Sequence, residues 1–204
     1  SGGNITLLGG GSQASSVQIG HGGYQNSGNH SDNVTVTANG SISGTGGSGT
    51  RSSVHVGHGG ASANSPAGYV GNVAVNALNG SVSFAGGGGT DSQARVGHGG
   101  AGSSGDHNGW VSVSGLTGVS VTGGGGTRAL AQIGHGGGAV SGNLSGDVFV
   151  NRDPLTQAPT GGGLVRVRGG GGGEAYAQIG LGAATSGTFT SSTLVYGSSV
   201  EVKV

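Results

Sequence analysis

Residues 54–60 read VHVGHGG, and four closely similar heptapeptides occur elsewhere in the chain. They begin at Val17 (VQIGHGG), Ala94 (ARVGHGG), Ala131 (AQIGHGG) and Ala177 (AQIGLGA). We call this segment the C strand. Its third positions, the C anchors, are separated by 37, 40, 37 and 46 residues and are occupied by Ile19, Val56, Val96, Ile133 and Ile179. Five recurrences of one segment predict a repeat architecture in which each copy is one structural unit.

Two further segments recur in step with the C strand. The B strand has its anchors 14 residues before the C anchors in all five copies, at Ile5, Ile42, Val82, Val119 and Val165. The A strand follows the C strand and reads VTV at Val34, VAV at Val73, VSV at Val111 and VFV at Val148. The same spacing predicts a fifth A strand at Leu194 and a sixth B strand at Val202.

All three strands alternate apolar with polar residues, as in Val34-Thr35-Val36, and no segment shows a helical period. Period-two alternation is typical of half-buried β-strands. The variation in repeat length falls between the strands, in residues 61–71 and around Pro154 and Pro159. Stacked coils tolerate insertions at such positions. We therefore predict an all-β fold, with residues 1–204 forming a single β-solenoid domain of about five three-strand repeats.

Two questions about this solenoid stay open in the sequence. The Asn39-Gly40 and Asn79-Gly80 dipeptides are typical of hairpin turns, which would give an antiparallel repeat sandwich or propeller instead. In a solenoid they would form corners with a left-handed backbone. Near-identical residues at equivalent positions favour parallel stacking. Each 37-residue repeat could be one wide coil or two coils of half that length.

The composition argues against several classes of function. Of 204 residues, 54 are glycine, none is cysteine, and seven Lys plus Arg balance seven Asp plus Glu. Without a basic excess we expect no binding to nucleic acid and no attraction to anionic membranes. Without cysteine there is no thiolate metal site. The run Gly123–Gly126 lacks the Lys-Ser/Thr ending of a phosphate loop, and no serine lies in a credible nucleophile motif. We expect no cofactor and no enzymatic activity.

Four of the five copies carry a histidine after the C strand, and these histidines are candidate site residues: His21, His58, His98 and His135. Their parity matches that of the inward residues, so stacked coils would place them in a ladder spaced by about 5 Å. Leu181 occupies the equivalent position in the fifth copy, which favours a structural ladder over metal binding or proton transfer. Metal ligation remains a weak alternative.

Two other sets of polar residues were weighed as sites. The middle position of the C strand is predicted to face outward and to form a possible contact row, made by Gln18, His55, Arg95, Gln132 and Gln178. His30 and His107 lie near Asp32 and Asp106 between the C and A strands. Because no third partner recurs at a regular spacing, we expect both histidines to be solvated loop residues.

The stretches NVTVTANGSISGTGG (33–47) and WVSVSGLTGVSVTGGGG (110–126), with the recurring AQIGHGG, resemble the filamentous haemagglutinin-like adhesins of bacteria. Proteins of that family are secreted by the two-partner or autotransporter route. The resemblance covers nearly the whole chain and implies a right-handed parallel β-helix at the cell surface that serves in adhesion or as a stalk. It implies no catalytic residues, and the family's N-terminal secretion domain is not recognisable in this sequence.

We therefore expect a structural or adhesive extracellular protein at the bacterial cell surface, without membrane insertion. The chain has no initiator methionine and no signal peptide, so we expect it to be part of a longer exported chain. Its partners would be adjacent coils or a second copy at open solenoid ends, and a host surface or glycan. The alternatives are a subunit of a self-assembling extracellular filament and an ice- or glycan-binding solenoid.

Overall fold

The computed structural model describes residues 3–182 and 184–204, which form a β-solenoid of about five turns. The described residues contain only strands, turns and irregular segments. All pairs between named strands are parallel, so the antiparallel sandwich or propeller is excluded. Three long sheets form the walls of the coil, and each contains one kind of predicted strand.

The sheets contain six B strands, five A strands and five C strands, as predicted. The B sheet is made of β1 (Ile5–Leu8), β4 (Ile42–Thr45), β8 (Ser81–Ala85), β12 (Gly118–Thr122), β17 (Leu164–Arg168) and β22 (Val200–Lys203). The C sheet is made of β2 (Val17–Ile19), β5 (Val54–Val56), β9 (Ala94–Val96), β13 (Ala131–Ile133) and β18 (Ala177–Ile179). The A sheet is made of β3 (Val34–Ala38), β7 (Val73–Ala77), β11 (Val111–Gly115), β16 (Val148–Val150) and β21 (Thr193–Val195).

The segment between the C and A strands carries strands that the sequence pattern did not predict. Four of them form a sheet: β6 (Tyr69–Val70), β10 (His107–Asn108), β15 (Leu144–Ser145) and β20 (Phe189–Thr190). A further pair consists of β14 (Val140–Ser141) and β19 (Ala184–Ser186). We call residues 20–33, 57–72, 97–110, 134–147, 180–182 and 184–192 the loop lobe. Its segments stack one on another like the walls, with a register shift between β14 and β19, and Asn64 bridges Ser104 in the next coil.

Each repeat is one wide coil, because every strand pairs with its equivalent one full repeat away. In the C sheet, for example, Val54 pairs with Val17 on one side and with Ala94 on the other. The inner faces of the walls then meet in one aliphatic interior. Val73, Val111 and Val148 stack there in a fully buried column. Like residues stacked on like fill this interior.

The predicted register of the last two strands is wrong. Leu194 pairs with Phe149 rather than with Val148, and Val202 pairs with Val167 rather than with Val165. The last C-to-A and A-to-B connections are each one residue shorter than the spacing used for the prediction. A shift of one residue moves a side chain to the opposite face of a sheet. As a result Val195 rather than Leu194 packs against the interior.

The Asn-Gly corners do not use a left-handed backbone, contrary to the prediction. Neither Gly40 nor Gly80 has a positive φ. A Cβ on Gly80 would lie 2.6 Å from the backbone nitrogen of Ser41 in the preceding coil. Glycine is needed here because the coils approach closely. The asparagines stack instead, and Asn79 Nδ2 donates to Asn39 Oδ1 at 2.6 Å.

Candidate functional site

The four repeat histidines stack directly on one another along the solenoid. The ring centroids are 5.1 Å apart for His21 and His58, 4.9 Å for His58 and His98, and 4.8 Å for His98 and His135. The rings are within 9° of parallel in each pair. His21, in the first coil, is exposed, whereas the other three are fully buried.

The glycines of the GHGG motif explain how the chain reaches this position. The glycine before each histidine has a φ between +129° and +137°, a region that L side chains rarely adopt. In Gly97, an added Cβ would also run into the carbonyl of Gly134 in the next coil. These glycines end the C strand and start the loop lobe. The histidine that follows therefore lies where the lobe leaves the wall of the coil.

Each buried imidazole binds both ends of the lobe segment in the preceding coil. Nδ1 of His98 accepts the backbone N–H of His58 at 3.0 Å, where that segment begins. Nε2 of His98 donates to the carbonyl of Gly71 at 2.8 Å, where the same segment returns to the A sheet. The other two rings repeat the pattern. His58 bonds to the His21 N–H (3.1 Å) and the Asp32 carbonyl (2.8 Å), and His135 to the His98 N–H (3.0 Å) and the Gly109 carbonyl (2.5 Å).

This arrangement fixes the tautomer of the ring and its protonation state. Nδ1 must keep its lone pair to accept an amide N–H, so the proton is on Nε2. Burial lowers the pKa of His58 and His98, and lowers the pKa of His135 to about 4. Neighbouring rings are joined through backbone amides rather than directly to each other. Because both nitrogens are engaged, the buried rings present no lone pair to a metal ion and no ring-to-ring path for a proton. Among the residues that the structure describes, no group of three or more His, Cys, Asp or Glu is placed to hold a metal.

Leu181 takes the fifth position of the ladder and packs against the aliphatic interior. It has no acceptor for the His135 amide and no donor for the lobe. The fourth lobe segment is therefore not bound at both ends in the way that the first three are. The ladder thus joins successive coils, because each buried imidazole bonds to both ends of the lobe segment in the coil before it.

The predicted contact row lies on the outer face of the C sheet, but it is buried there, which corrects the prediction that it is solvated. His55, Arg95 and Gln132 are at most 5% exposed, and Gln18 and Gln178 are half-buried. The loop lobe folds back over the outer face of the C sheet and covers the row. A Cβ on Gly137 of the lobe would lie 2.8 Å from Nη1 of Arg95, which shows how closely the two pack.

The row holds the lobe against the C sheet. In four coils the side chain donates to the carbonyl three residues later. These bonds join Gln18 Nε2 to His21 (3.1 Å), Arg95 Nη2 to His98 (2.9 Å), Gln132 Nε2 to His135 (2.9 Å) and Gln178 Nε2 to Leu181 (2.6 Å). His55 instead bonds through Nε2 to the carbonyl of Gly97 in the next coil at 2.6 Å. Burial, and then the charge of Arg95, lower the pKa of His55 to about 3.

A second column of rings runs through the lobe, and the sequence analysis missed it. His30 stacks on Tyr69 with centroids 5.7 Å apart, and Tyr69 lies 4.8 Å from His107. Leu144 and Phe189 continue the column in the next two coils. His107 is fully buried, not solvated as expected, and burial lowers its pKa to about 3. The changing residue type along the column, from histidine to tyrosine to leucine, hid the repeat.

No protein-family model matches the chain, and neither the curated proteins nor the solved structures contain a match to it. The resemblance to bacterial adhesins therefore rests on the sequence stretches quoted above, since a solenoid shape alone does not identify a family. In the described part of the chain no helix is long and apolar enough to cross a lipid bilayer.

Proposed function

We propose that this chain is a structural and adhesive solenoid, a segment of a surface adhesin or stalk on the bacterial cell exterior. The proposal is supported by the position of the recurring polar side chains between the coils and under the lobe. Three of the four ladder histidines and three of the five residues of the polar row are buried. Their hydrogen bonds join one coil to the next or fix the lobe to its wall. The polar residues that recur from copy to copy thus hold the stack together.

The described stack of coils is short along its axis. Parallel strands lie about 4.8 Å apart, so five coils span only about 24 Å along the axis. A stalk that extends from a cell would need many such units, supplied by further coils or by further copies.

The surface available for adhesion is the outer face of the B sheet rather than the C row. Hydroxyl side chains lie side by side there in four neighbouring strands: Thr6, Ser43, Ser83 and Ser120. They are exposed or half-buried. A flat row of hydroxyls offers hydrogen bonds to the hydroxyls of a glycan, and we propose this face as the contact surface for a host glycan.

A second candidate function is a subunit of an extracellular filament, which the exposed last coil favours. Val200 and Val202 of β22 are 56% and 71% exposed, whereas the residues below them, Val165 and Val167, are fully buried and half-buried. The edges of the sheets at the two ends offer unpaired backbone groups to another chain. With six B strands and five of the other two kinds, direct stacking of copies would leave a gap in the A and C walls. A filament therefore requires displacement or exchange of a B strand.

Electron micrographs and sedimentation of the purified chain separate the two functions. A surface segment gives compact particles that remain monomeric at micromolar concentrations. A filament subunit gives fibres, and Val202→Lys should abolish them because a charged edge strand resists pairing. If the parent chain forms fibres and Val202→Lys does not, the filament function replaces the proposal of a surface segment.

Adhesion is tested separately with immobilised glycans and intact host cells. Ser83→Lys, in the middle of the hydroxyl row, should reduce binding at least tenfold if this face makes the contact. Lys203→Ser, at the edge of the same sheet but outside the row, is the matched control. Equal binding by both variants and the parent chain would overturn the assignment of this face.

A further inference from the structure

Arg95 is a buried cation without a carboxylate partner. Its side chain is 2% exposed, and its one hydrogen bond runs from Nη2 to the carbonyl of His98. Nε and Nη1 have no partner within the described residues. The nearest carboxylate in sequence, Asp91, is held by Arg128, whose Nε and Nη2 lie 2.8 and 3.0 Å from its two oxygens.

The charge on Arg95 is not needed for the bond that it makes. Gln132, at the equivalent position one coil later, donates to the corresponding carbonyl of His135 at the same distance of 2.9 Å. Burial lowers the pKa of Arg95 to about 10, so the guanidinium is still charged at neutral pH. A buried charge is strongly destabilising unless a group of opposite charge neutralises it. A counterion from solution would supply what the chain does not.

A cavity of about 30 Å³ lies beside this guanidinium, between the C sheet and the lobe. Arg95, His55 and Gln93 line it, and Gln93 Nε2 is a second buried donor without an acceptor. Two residues that line the cavity, Arg95 and Gln93, thus carry donors without an acceptor, and one of them carries the positive charge. Tyr24 and Ser16, which are partly exposed, line the side nearest solvent, so a small ion can enter from there.

We propose that this cavity is a binding site for a monatomic halide, with chloride as its physiological occupant, held by Arg95 and Gln93. Its volume corresponds to one or two water-sized species, which suits a monatomic ion better than a tetrahedral oxyanion. The site occurs once in the stack because only the third coil places an arginine in the polar row. The ion neutralises the guanidinium and gives Nε, Nη1 and Gln93 Nε2 an acceptor.

Diffraction from crystals grown with bromide in place of chloride locates the ion directly. The expected result is an anomalous bromide peak within hydrogen-bond distance of Arg95 and Gln93. A water molecule in the cavity, with bromide absent there, would overturn the proposal.

The dependence of Tm on the anion gives an independent readout in solution. Chloride at ten times its dissociation constant should raise Tm by about 3 to 6 °C over gluconate at equal ionic strength. Arg95→Gln should remove this difference, and it should fold because glutamine is native at this position in three other coils. Arg166→Gln, which alters an exposed arginine, is the control and should keep the difference. A chloride effect of equal size in the parent chain and Arg95→Gln would contradict the site.

Discussion

The aliphatic interior and the loop lobe are two regions of the same repeat that are stabilised in different ways. The interior is filled by columns of valine and isoleucine that burial alone holds in place. The lobe is held by neutral histidines, a polar row and glycines with a positive φ. One solenoid can therefore combine a region whose stability does not depend on pH with a region whose stability does.

Acid should produce the largest difference between the two regions. His55, His107 and His135 have folded-state pKa values lowered by burial to about 3, 3 and 4. The unfolded chain binds their protons first, so stability is complete above about pH 6.5 and is lost as the pH falls toward the folded values. At pH 5 each histidine costs about 2 kcal/mol, or on the order of 6 kcal/mol together. Denaturant unfolding at pH 7.5 and pH 5 measures the loss.

A substitution in the interior is the control for this prediction. Val113→Ala removes buried methyl groups and should cost about 2 kcal/mol at both pH values. Hydrogen exchange at pH 5 should show the lobe amides opening before those of the A and B sheets. A free energy of unfolding that is equal at pH 7.5 and pH 5 would refute the dependence on neutral histidines.

Gly97→Ala should be the most damaging single substitution of the set. It places a side chain at a φ of +129° and drives its Cβ into the carbonyl of Gly134. We expect a loss of about 3 kcal/mol or more in the free energy of unfolding. Gly88→Ala is the matched control, since an added Cβ there meets no atom within 4 Å. Similar losses for the two variants would mean that backbone strain and coil contact do not decide stability in the lobe.

His98→Leu tests the hydrogen bonds of the histidine ladder and should lower the free energy of unfolding by about 2 kcal/mol. Leucine fits the position, as Leu181 demonstrates, but leaves the amide of His58 and the carbonyl of Gly71 without their buried partner. His21→Leu is the control because no hydrogen bond from this ring to the chain is present in the described part. The free energies of unfolding of both variants, measured at pH 7.5, should differ. Equal values would reduce the ladder to simple ring stacking.

Arg128→Gln should have the smallest effect, below about 1 kcal/mol. The Arg128 side chain is 47% exposed, so solvent screens its pair with Asp91. The loss should shrink further in 0.5 M salt. Arg166→Gln, which removes an arginine of equal exposure paired with Glu201, should match it in a thermal melt. A loss of several kcal/mol for Arg128→Gln alone would place this surface pair among the elements that hold the stack.

The walls of the coil could be predicted from the sequence because each is a column of one residue type. Val73, Val111 and Val148 occur at a readable spacing, and period-two alternation gives their direction. The parallel order, which that pattern favoured, and the numbers of A, B and C strands are confirmed. Whether each repeat is one coil or two stayed open in the sequence. The same spacing failed at Leu194, because two connections each lose one residue and spacing alone cannot register that.

The structure of the lobe could not be predicted from the sequence, for a physical reason. Its ring column changes residue type from His30 to Tyr69 to His107, so no pattern marks it as buried. The polar row was assigned outward correctly by parity, but parity cannot reveal that another segment covers the outer face. The stacking of the histidines was readable from their spacing. The backbone groups that the rings bind could not be predicted, because they are distant in the sequence. The carbonyl bound by His58 lies 26 residues away, and the amide bound by His98 lies 40 residues away.

The histidine ladder also implies an order in which successive coils are stabilised. Each ring belongs to one coil and completes the coil that precedes it, as His98 does for the segment between His58 and Gly71. A coil that has just formed still lacks the group that secures it, and receives it only when the chain has gone around once more. If the stack grows from the N-terminal side, the securing of each coil therefore lags its formation by one turn. The advancing end stays open to correction while everything behind it is fixed.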